Sequence, residues 1–209
     1  MYRRLMAPRR PGGIEGWPIV GLTSGAVATV VACVLATSGF DEAGVRAGIR
    51  ATAGTSFALF LTAFVASSLN TLRPTPATKW LLRNRRYIGV SFAVSQLAHL
   101  LLIEDLSHLR GAPITTLAHK LTVVGGGFGY VMLLAMTITS FDRTARWLGR
   151  QRWSVLHTTG MYVFWAIFAT SYGKRVALSP RYCVSFGLLI AALGIRAAAR
   201  MRRVAVRSS

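Results

Sequence analysis

Six apolar stretches dominate the sequence, and each is about as long as the hydrocarbon core of a bilayer is thick. They cover about residues 18–38, 52–71, 87–104, 119–140, 154–172 and 179–197. A helix rises about 1.5 Å per residue, so roughly 20 apolar residues cross a membrane. With 53% hydrophobic and 15% charged residues, the chain is too apolar for an ordinary soluble domain. The sequence therefore predicts an all-α integral membrane protein, a bundle of six transmembrane helices.

The charge distribution predicts how this bundle is oriented. The chain has 25 Lys and Arg against 6 Asp and Glu, and a formal net charge of +19. Most basic residues fall in four segments, 3–10, 73–86, 143–152 and 196–207, which lie on one side of a six-helix topology. By the positive-inside rule both termini are cytoplasmic, and we expect a multi-pass protein of the bacterial inner membrane in contact with lipid. The basic residues form short clusters between apolar stretches, which argues against a nucleic-acid partner.

The same pattern divides the chain into three parts. Residues 1–17 are a basic cytoplasmic tail, residues 18–197 the transmembrane domain, and residues 198–209 a second basic cytoplasmic tail. Pro74 and Pro76 separate the second and third predicted helices. The predicted loops are short, which leaves no room for a flavin or nicotinamide domain within the chain.

Histidines inside apolar helices are the best candidates for chemistry, because a polar group at membrane depth needs a partner. His99 lies in the third predicted helix and His157 early in the fifth, whereas His108 and His119 lie near the outer interface. Imidazole is a common axial ligand of haem iron. His99 and His157 are therefore predicted haem ligands, and the competing interpretation is hydrogen bonding to a neighbouring helix.

Two other features have ordinary structural explanations. Gly125, Gly126, Gly127 and Gly129 follow no strand, so a phosphate loop is excluded; small residues here allow a helix or a flat macrocycle to approach closely. Asp142 is expected to pair with Arg143 or Arg146.

Several of these residues also carry a family resemblance. The stretch from Trp80 to His99, with Arg-Arg-Tyr-Ile-Gly at 85–89, is followed by Ile-Thr-Ser-Phe-Asp at 138–142 and Trp-Ser-Val-Leu-His at 153–157. Together, over roughly residues 45–175, they resemble the ferric-reductase-like transmembrane domain superfamily. The bacterial haem subunits that serve periplasmic methionine sulfoxide reductases are the most similar members.

The resemblance implies a haem b-binding core that passes electrons from a cytoplasmic donor, a flavin or a quinol, to a partner protein or terminal acceptor. His99 and His157 match its axial histidines. Arg86, with Arg83 and Arg85, is a candidate for binding haem propionates or an anionic donor. The family's second histidine in the fifth helix is replaced here by Thr170.

The predicted depths of the two histidines differ. His99 lies 13 residues beyond Arg86 and His157 only 5 beyond Arg152, which places their backbones roughly 12 Å apart in depth. Three arrangements remain open: the two converge on one haem, His99 pairs with His119 or another outer group, or haem has been lost.

The leading hypothesis is thus a haem b electron-transfer subunit that acts with other proteins. The alternative is a haem-free membrane scaffold or assembly subunit that retains the fold. A small transporter is disfavoured, because the sequence has neither paired charges in mid-helix nor an inverted repeat.

Overall fold

A computed structural model describes residues 14–113 and 120–208 of the chain. Seven helices and no strand occur in these residues, which confirms the all-α class. They are α1 (Trp17–Ser38), α2 (Glu42–Leu72), α3 (Pro76–Leu109), α4 (Lys120–Ile138), α5 (Asp142–Leu148), α6 (Arg150–Val176) and α7 (Arg181–Ser208).

Four of the described helices, α1, α2, α3 and α7, are long and apolar enough to cross a membrane. The count becomes five if α4 and α5 form one broken span, since residues 123–138 and 142–148 meet at a bend of 102°. Helix α6 has 27 residues but carries arginines at both ends and several hydroxyl groups, and it is not apolar enough to qualify. Most of the long helices, but not all of them, are therefore apolar enough to cross a membrane.

Helices α2 and α3 extend well beyond the predicted apolar stretches. Helix α2 begins ten residues early because Asp41 caps it, its side chain accepting a hydrogen bond from Gly44 N at 2.9 Å. Helix α3 begins at Pro76, and Thr75 forms a capping box with Thr78. The added turns contain arginine or lysine residues, so a prediction based on runs of apolar residues does not include them. The two prolines near residue 75 do separate α2 from α3, as predicted.

The long helices alternate in direction through the bundle. We call the end that holds residues 73–75 the proximal end, and the end that holds residues 39–41 and 177–180 the distal end. At the proximal end, Trp17 at the start of α1 packs against Tyr87, and Arg202 near the end of α7 donates to Thr71 O. The first residues of α1 and the last turns of α7 therefore lie at the same end of the bundle.

Phenylalanine rings fill the middle of the bundle between α2, α3 and α6. Phe60 is fully buried and lies 5.1 Å from Phe168 and 5.9 Å from Phe92, ring centre to ring centre. Phe92 meets Phe164 edge to face at 5.0 Å. Such contacts lock the three helices at one relative height.

The outer faces of the bundle are apolar, and its interior combines the aromatic core with a polar contact between helices. Its fully buried polar residues include Thr52, Ser56 and Ser95, all at the contact of α2 with α3. The outward faces carry large apolar side chains such as Leu101 and Val131, which are 62% and 67% exposed. Polar contacts between helices and apolar outer surfaces are typical of helices that pack within lipid.

The short helix α5 forms an elbow at the proximal end that the sequence did not predict. Asp142 begins it, and its carboxylate accepts a hydrogen bond from Arg86 Nη1 at 2.5 Å. The expected pairing of Asp142 with Arg143 or Arg146 is wrong, because the bend turns the carboxylate towards α3. Phe141, just before the bend, stacks on Trp17 with 5.6 Å between ring centres.

Candidate functional site

His99 lies on α3 in the wedge between α2 and α4. Residues of a helix are about 100° apart, so His99 is about 40° from Ser95 and about 60° from Gln96. Ser95 accepts a hydrogen bond from Ser56 of α2 at 2.8 Å. Gln96 O accepts one from Tyr130 of α4 at 3.2 Å. The imidazole therefore stands between a tightly packed helix on one side and α4 on the other.

Thr52 of α2 fixes the orientation of the His99 ring. Its Oγ1 lies 3.0 Å from His99 Nδ1 and also donates to the carbonyl of Gly48 at 2.9 Å. A hydroxyl has one proton, so the threonine accepts from the imidazole and the His99 proton is assigned to Nδ1. The remaining lone pair is then on Nε2, and the backbone carbonyl of Ile49 is a further hydrogen-bond acceptor for the ring. This is the arrangement of a histidine that binds metal through Nε2, with Nδ1–H held by a neighbouring acceptor.

Open space accompanies His99 on the side of α4. The contact between Tyr130 and Gln96 fixes the relative height of α4 and α3. His99 lies about one turn from Gln96 on α3, and Gly126 lies about one turn from Tyr130 on α4. Both residues are on the distal side of the contact between Tyr130 and Gln96. A Cβ atom added to Gly125, Gly126 or Gly127 would meet nothing within 4 Å. Helix α4 packs mainly on α6 and only lightly on α3, so the two helices do not close this space.

His157 occupies a different environment at the proximal end. Its Nε2 lies 3.1 Å from Thr139 Oγ1, which donates to Ala135 O at 2.7 Å. The proton is therefore assigned to Nε2, and the ring stacks on Trp153 at 4.2 Å between centres. The remaining lone pair is on Nδ1, the nitrogen next to the main chain, where a porphyrin would collide with the helix.

The two predicted axial ligands lie at different heights in the bundle. Thr139, the partner of His157, is three residues before Asp142, which pairs with Arg86. His99 follows Arg86 on α3 by thirteen residues, about 20 Å along the helix axis. The described structure brings each histidine to its own threonine and does not bring the two together.

Thr170 is exposed on the outer face of α6. Its hydroxyl donates to Ala166 O at 2.9 Å, within its own helix. A histidine at this position would point away from the bundle interior. Position 170 therefore provides no ligand position opposite His99.

The other predicted site residues are placed as follows. Arg86 binds Asp142, and its Nε is buried without a hydrogen-bond partner within the described ranges. His108 is exposed and lies 3.4 Å from Glu104, one turn away. His119, the alternate ligand, lies outside the described residues, directly before α4.

Sequence reasoning missed the threonines that orient both imidazoles. Thr52 is the first residue of its predicted apolar stretch, and Thr139 lies in the Ile-Thr-Ser-Phe-Asp segment at the end of another. The available signal was the spacing of Thr52 with Thr55 and Ser56, a polar stripe on an otherwise apolar helix. It indicates a helix contact, but only the fold shows that His99 is opposite.

Among the described residues, no group of three or more His, Cys, Asp or Glu side chains could hold a metal ion. Of the two predicted ligand positions, His99 is the one whose ring is oriented with its lone pair on Nε2. Comparison of the chain with models of protein families, with curated proteins and with solved structures found no match.

Proposed function

We propose that the protein is a haem b-binding membrane subunit that passes electrons across the bacterial inner membrane, with His99 as an axial ligand. The observation that carries the proposal is the state of the His99 ring: Thr52 accepts from Nδ1–H, the Ile49 carbonyl is a further acceptor for the ring, and the lone pair is on Nε2. Gly126 of α4, one turn from Tyr130 and therefore on nearly the same side of the helix, has open space in front of it.

Each residue at His99 has a distinct role in this proposal. Thr52 orients the imidazole, and the glycines of α4 leave room for a flat ring against the helix backbone. The haem would supply a one-electron couple. Lys174 and Arg175, in the last turn of α6 at the distal end, are cations available to anionic groups there. His119 is the candidate for the second axial position, because it directly precedes the helix that carries the glycines.

The proposed topology has six spans, with α6 as the additional one and both termini in the cytoplasm. Helix α6 supports this count because it packs on α2, α4 and α7 and runs the length of the bundle with them. The proximal end holds the arginines of residues 73–86 and 143–152, which favours the cytoplasm for this end. A quinol or a flavin-bearing partner would then donate electrons there.

Absorbance of the purified full-length chain, expressed with haem supplied, tests the proposal. We expect a Soret band, with α and β bands after dithionite, in the wild type. The His99→Ala variant should lose this spectrum. His108→Ala is the matched control, since His108 is exposed, and it should keep the spectrum.

The result with His157→Ala separates the arrangements of ligands. If His99 and His119 hold the haem, His157→Ala keeps the spectrum and His119→Ala changes it. A colourless wild type that is monodisperse and helical by circular dichroism would overturn the haem proposal.

A haem-free membrane scaffold is the second candidate function, and one observation favours it. The middle of the bundle is filled by phenylalanine rings in mutual contact, and both helix-embedded histidines have threonine partners. Such a protein needs no cofactor to complete its core. It would co-purify with a partner membrane protein in the same stoichiometry whether or not haem is supplied.

A further inference from the structure

An open groove, which we call the α4–α6 groove, lies on the outer surface between α4 and α6. Its volume is about 560 Å³, similar to that of cavities that hold one small molecule. Arg152, Val155, Leu156 and Thr159 line it at positions i, i+3, i+4 and i+7 of α6, so they share one face of that helix. Met132 of α4 lines it from the other side. The groove therefore runs along α6 from the proximal end towards the middle of the bundle.

The groove closes where α4 and α6 approach each other. Gly160 follows Thr159 on α6, and a Cβ atom added to Gly160 would lie 3.3 Å from Met132 Cγ. The Met132 side chain therefore lies against the α6 backbone at the level of Thr159, about 10 Å along the helix from Arg152. Methionine is flexible and apolar, so it can adapt its shape to a hydrocarbon chain.

The proximal mouth of the groove is cationic. A second cavity, of about 370 Å³, adjoins the groove there and shares Gln151 and Val155 with it. Arg150 lines this second cavity, so two arginines, Arg150 and Arg152, lie at the mouth. Beyond them the walls are apolar as far as Thr159. Charge and hydrocarbon are thus separated along the length of the groove.

No carboxylate neutralises the two arginines at the mouth. Every Asp and Glu of the chain lies in the part that the structure describes, and the ion pairs formed there involve other basic groups. Asp142, the acid nearest in sequence, pairs with Arg86 of α3. Arg150 and Arg152 make no hydrogen bond with another described residue. The mouth is therefore complementary in charge to an anionic group.

Thr159 presents an unused hydroxyl to the groove. Thr137 of α4 and Thr170 of α6 donate to carbonyls of their own helices at 2.8 and 2.9 Å. The Thr159 hydroxyl, in contrast, makes no hydrogen bond within the described segments. A hydroxyl in apolar surroundings costs free energy unless it finds an acceptor. A ligand that carries an acceptor between its anionic group and its apolar part would satisfy it.

We propose that the α4–α6 groove binds one anionic phospholipid, with its phosphate at Arg150 and Arg152, an ester carbonyl at Thr159 and an acyl chain along the apolar wall. Guanidinium groups bind phosphate oxygens with charge-assisted, often paired hydrogen bonds. A phospholipid carries phosphate, ester and hydrocarbon in this order, and basic groups at the cytoplasmic surface attract anionic lipids. A quinone lacks the anionic group and a soluble phosphate ester lacks the acyl chain, so neither matches both parts of the groove.

This inference rests on the proposed six-span topology, which places α6 in the membrane, and it is independent of haem at His99. Native mass spectrometry of the purified full-length chain, released from neutral detergent, tests it. Phosphatidylglycerol is titrated in one series, phosphatidylcholine in a second and ubiquinone in a third. We expect one phosphatidylglycerol molecule to be retained, and phosphatidylcholine and ubiquinone to be lost with the detergent.

Two variants remove polar contacts of the proposed site. In Arg152→Gln the apparent Kd for phosphatidylglycerol should rise about tenfold or more, as expected for the loss of a charged hydrogen-bond donor. In Thr159→Val it should rise about two- to tenfold, because the hydroxyl is neutral. Arg143→Gln is the matched control for charge, since Arg143 is exposed at the same end of the bundle and does not line the groove. It should keep the wild-type Kd.

A further variant fills the groove without changing charge. Val155→Phe should abolish retention of phosphatidylglycerol, because Val155 lines both cavities. Val184→Phe is its control, since Val184 is 67% exposed on α7, away from the groove, and it should retain the lipid. If Val155→Phe does not fold, Val155→Leu replaces it and should weaken retention.

Four results would overturn the proposal. They are a wild type that retains no phosphatidylglycerol, equal retention in the wild type and Val155→Phe, an equal loss in Arg143→Gln and Arg152→Gln, and retention of ubiquinone in place of phosphatidylglycerol. None of these measurements uses a haem spectrum, and reporter fusions test the topology separately. A failure of the lipid site is therefore distinguishable from a failure of the haem proposal or of the six-span topology.

Discussion

Thr52 determines how His99 presents its ring. Its hydroxyl proton is committed to the carbonyl of Gly48, so the oxygen can only accept from His99 Nδ1. A single hydroxyl therefore selects the tautomer with a lone pair on Nε2. At His157 the corresponding hydroxyl, Thr139, selects the opposite tautomer. Two chemically identical side chains thus present different nitrogens, Nε2 at His99 and Nδ1 at His157, because of one neighbour each.

Replacing Thr52 with valine should weaken haem binding, because the shape is kept and the acceptor for Nδ1–H is lost. Loss of a hydrogen bond that orients a metal ligand typically lowers metal affinity about 10- to 100-fold. The measurement is the ratio of reduced haem absorbance to protein during haem titration. Thr62→Val is the control, since the Thr62 hydroxyl bonds only to Ala58 O of its own helix. Equal haem affinity in both variants would contradict the role of Thr52.

Gly44 is the glycine most sensitive to substitution. A Cβ added there would lie 1.8 Å from Gly39 O, a backbone atom of the turn between α1 and α2. Gly44→Ala should therefore lower the free energy of unfolding by about 2 kcal/mol or more, since the backbone must shift.

Gly54→Ala in the same helix is the control for this substitution. Its added Cβ would meet nothing within 4 Å, so it should be neutral or stabilise by up to about 1 kcal/mol. Both values can be measured by equilibrium unfolding in mixed detergent micelles. Two substitutions with equal effects would mean that the turn is not packed as described.

At the scale of the elements, aromatic contacts hold α2, α3 and α6 together. The short helix α5 connects α4 to α3 and α1 at the proximal end. Phe60 contacts rings from both of the other helices. The α5 elbow links α4 to α3 through Asp142 and Arg86, and to α1 through Phe141 and Trp17. Helix α4, with its glycine segment, packs mainly on α6 and only lightly on α3. Space for a cofactor is therefore expected beside α4 and not within the aromatic core.

Phe60→Ala should destabilise the bundle strongly, because it leaves a cavity bounded by three helices. We expect a loss of roughly 2 to 4 kcal/mol, somewhat below the usual value for a soluble core, since lipid is itself apolar. Phe128→Ala is the control, since Phe128 is 53% exposed on α4. The measurement is equilibrium unfolding by circular dichroism, and similar losses in the two variants would contradict the assignment of Phe60 to the core.

At the scale of the whole molecule, the outer faces of the bundle are apolar, and a polar contact between two helices lies inside it beside the aromatic core. Buried Thr52, Ser56 and Ser95 join α2 to α3, whereas large apolar side chains cover the outer faces. This arrangement would be unstable in water, since the exposed apolar area has no cover, and it is favourable in lipid. The proximal end combines this surface with a high density of arginine, which favours its location in the cytoplasm.

Reporter fusions test the proposed topology. A fluorescent protein fused after Ser209 should fluoresce, because that reporter matures only in the cytoplasm. Alkaline phosphatase inserted at residues 39–41 or 177–180 should be active, and inserted at residues 73–75 it should be inactive. Active phosphatase at residues 73–75 would contradict the orientation. If phosphatase were active at residues 39–41 and inactive at residues 177–180, the two segments would lie on opposite sides of the membrane, which would contradict six spans.

Part of the candidate site could be predicted from the sequence. His99 was identified because an imidazole in an apolar helix needs a partner, and that reasoning depends on composition alone. Its partner Thr52 lies 47 residues away, and the pairing depends on the relative height of α2 and α3. That height is fixed by contacts such as Phe60 with Phe92, which no local pattern encodes.

The sequence by itself determined the helical class, the approximate positions of the long helices and the asymmetric distribution of basic charge. These follow from local hydrophobicity and from breakers such as Pro74, both of which act over a few residues. Only the tertiary structure decided that Asp142 meets Arg86 and that His99 and His157 lie at different heights. Each of these depends on how whole helices rotate and slide against one another, and that is governed by side-chain packing across the bundle.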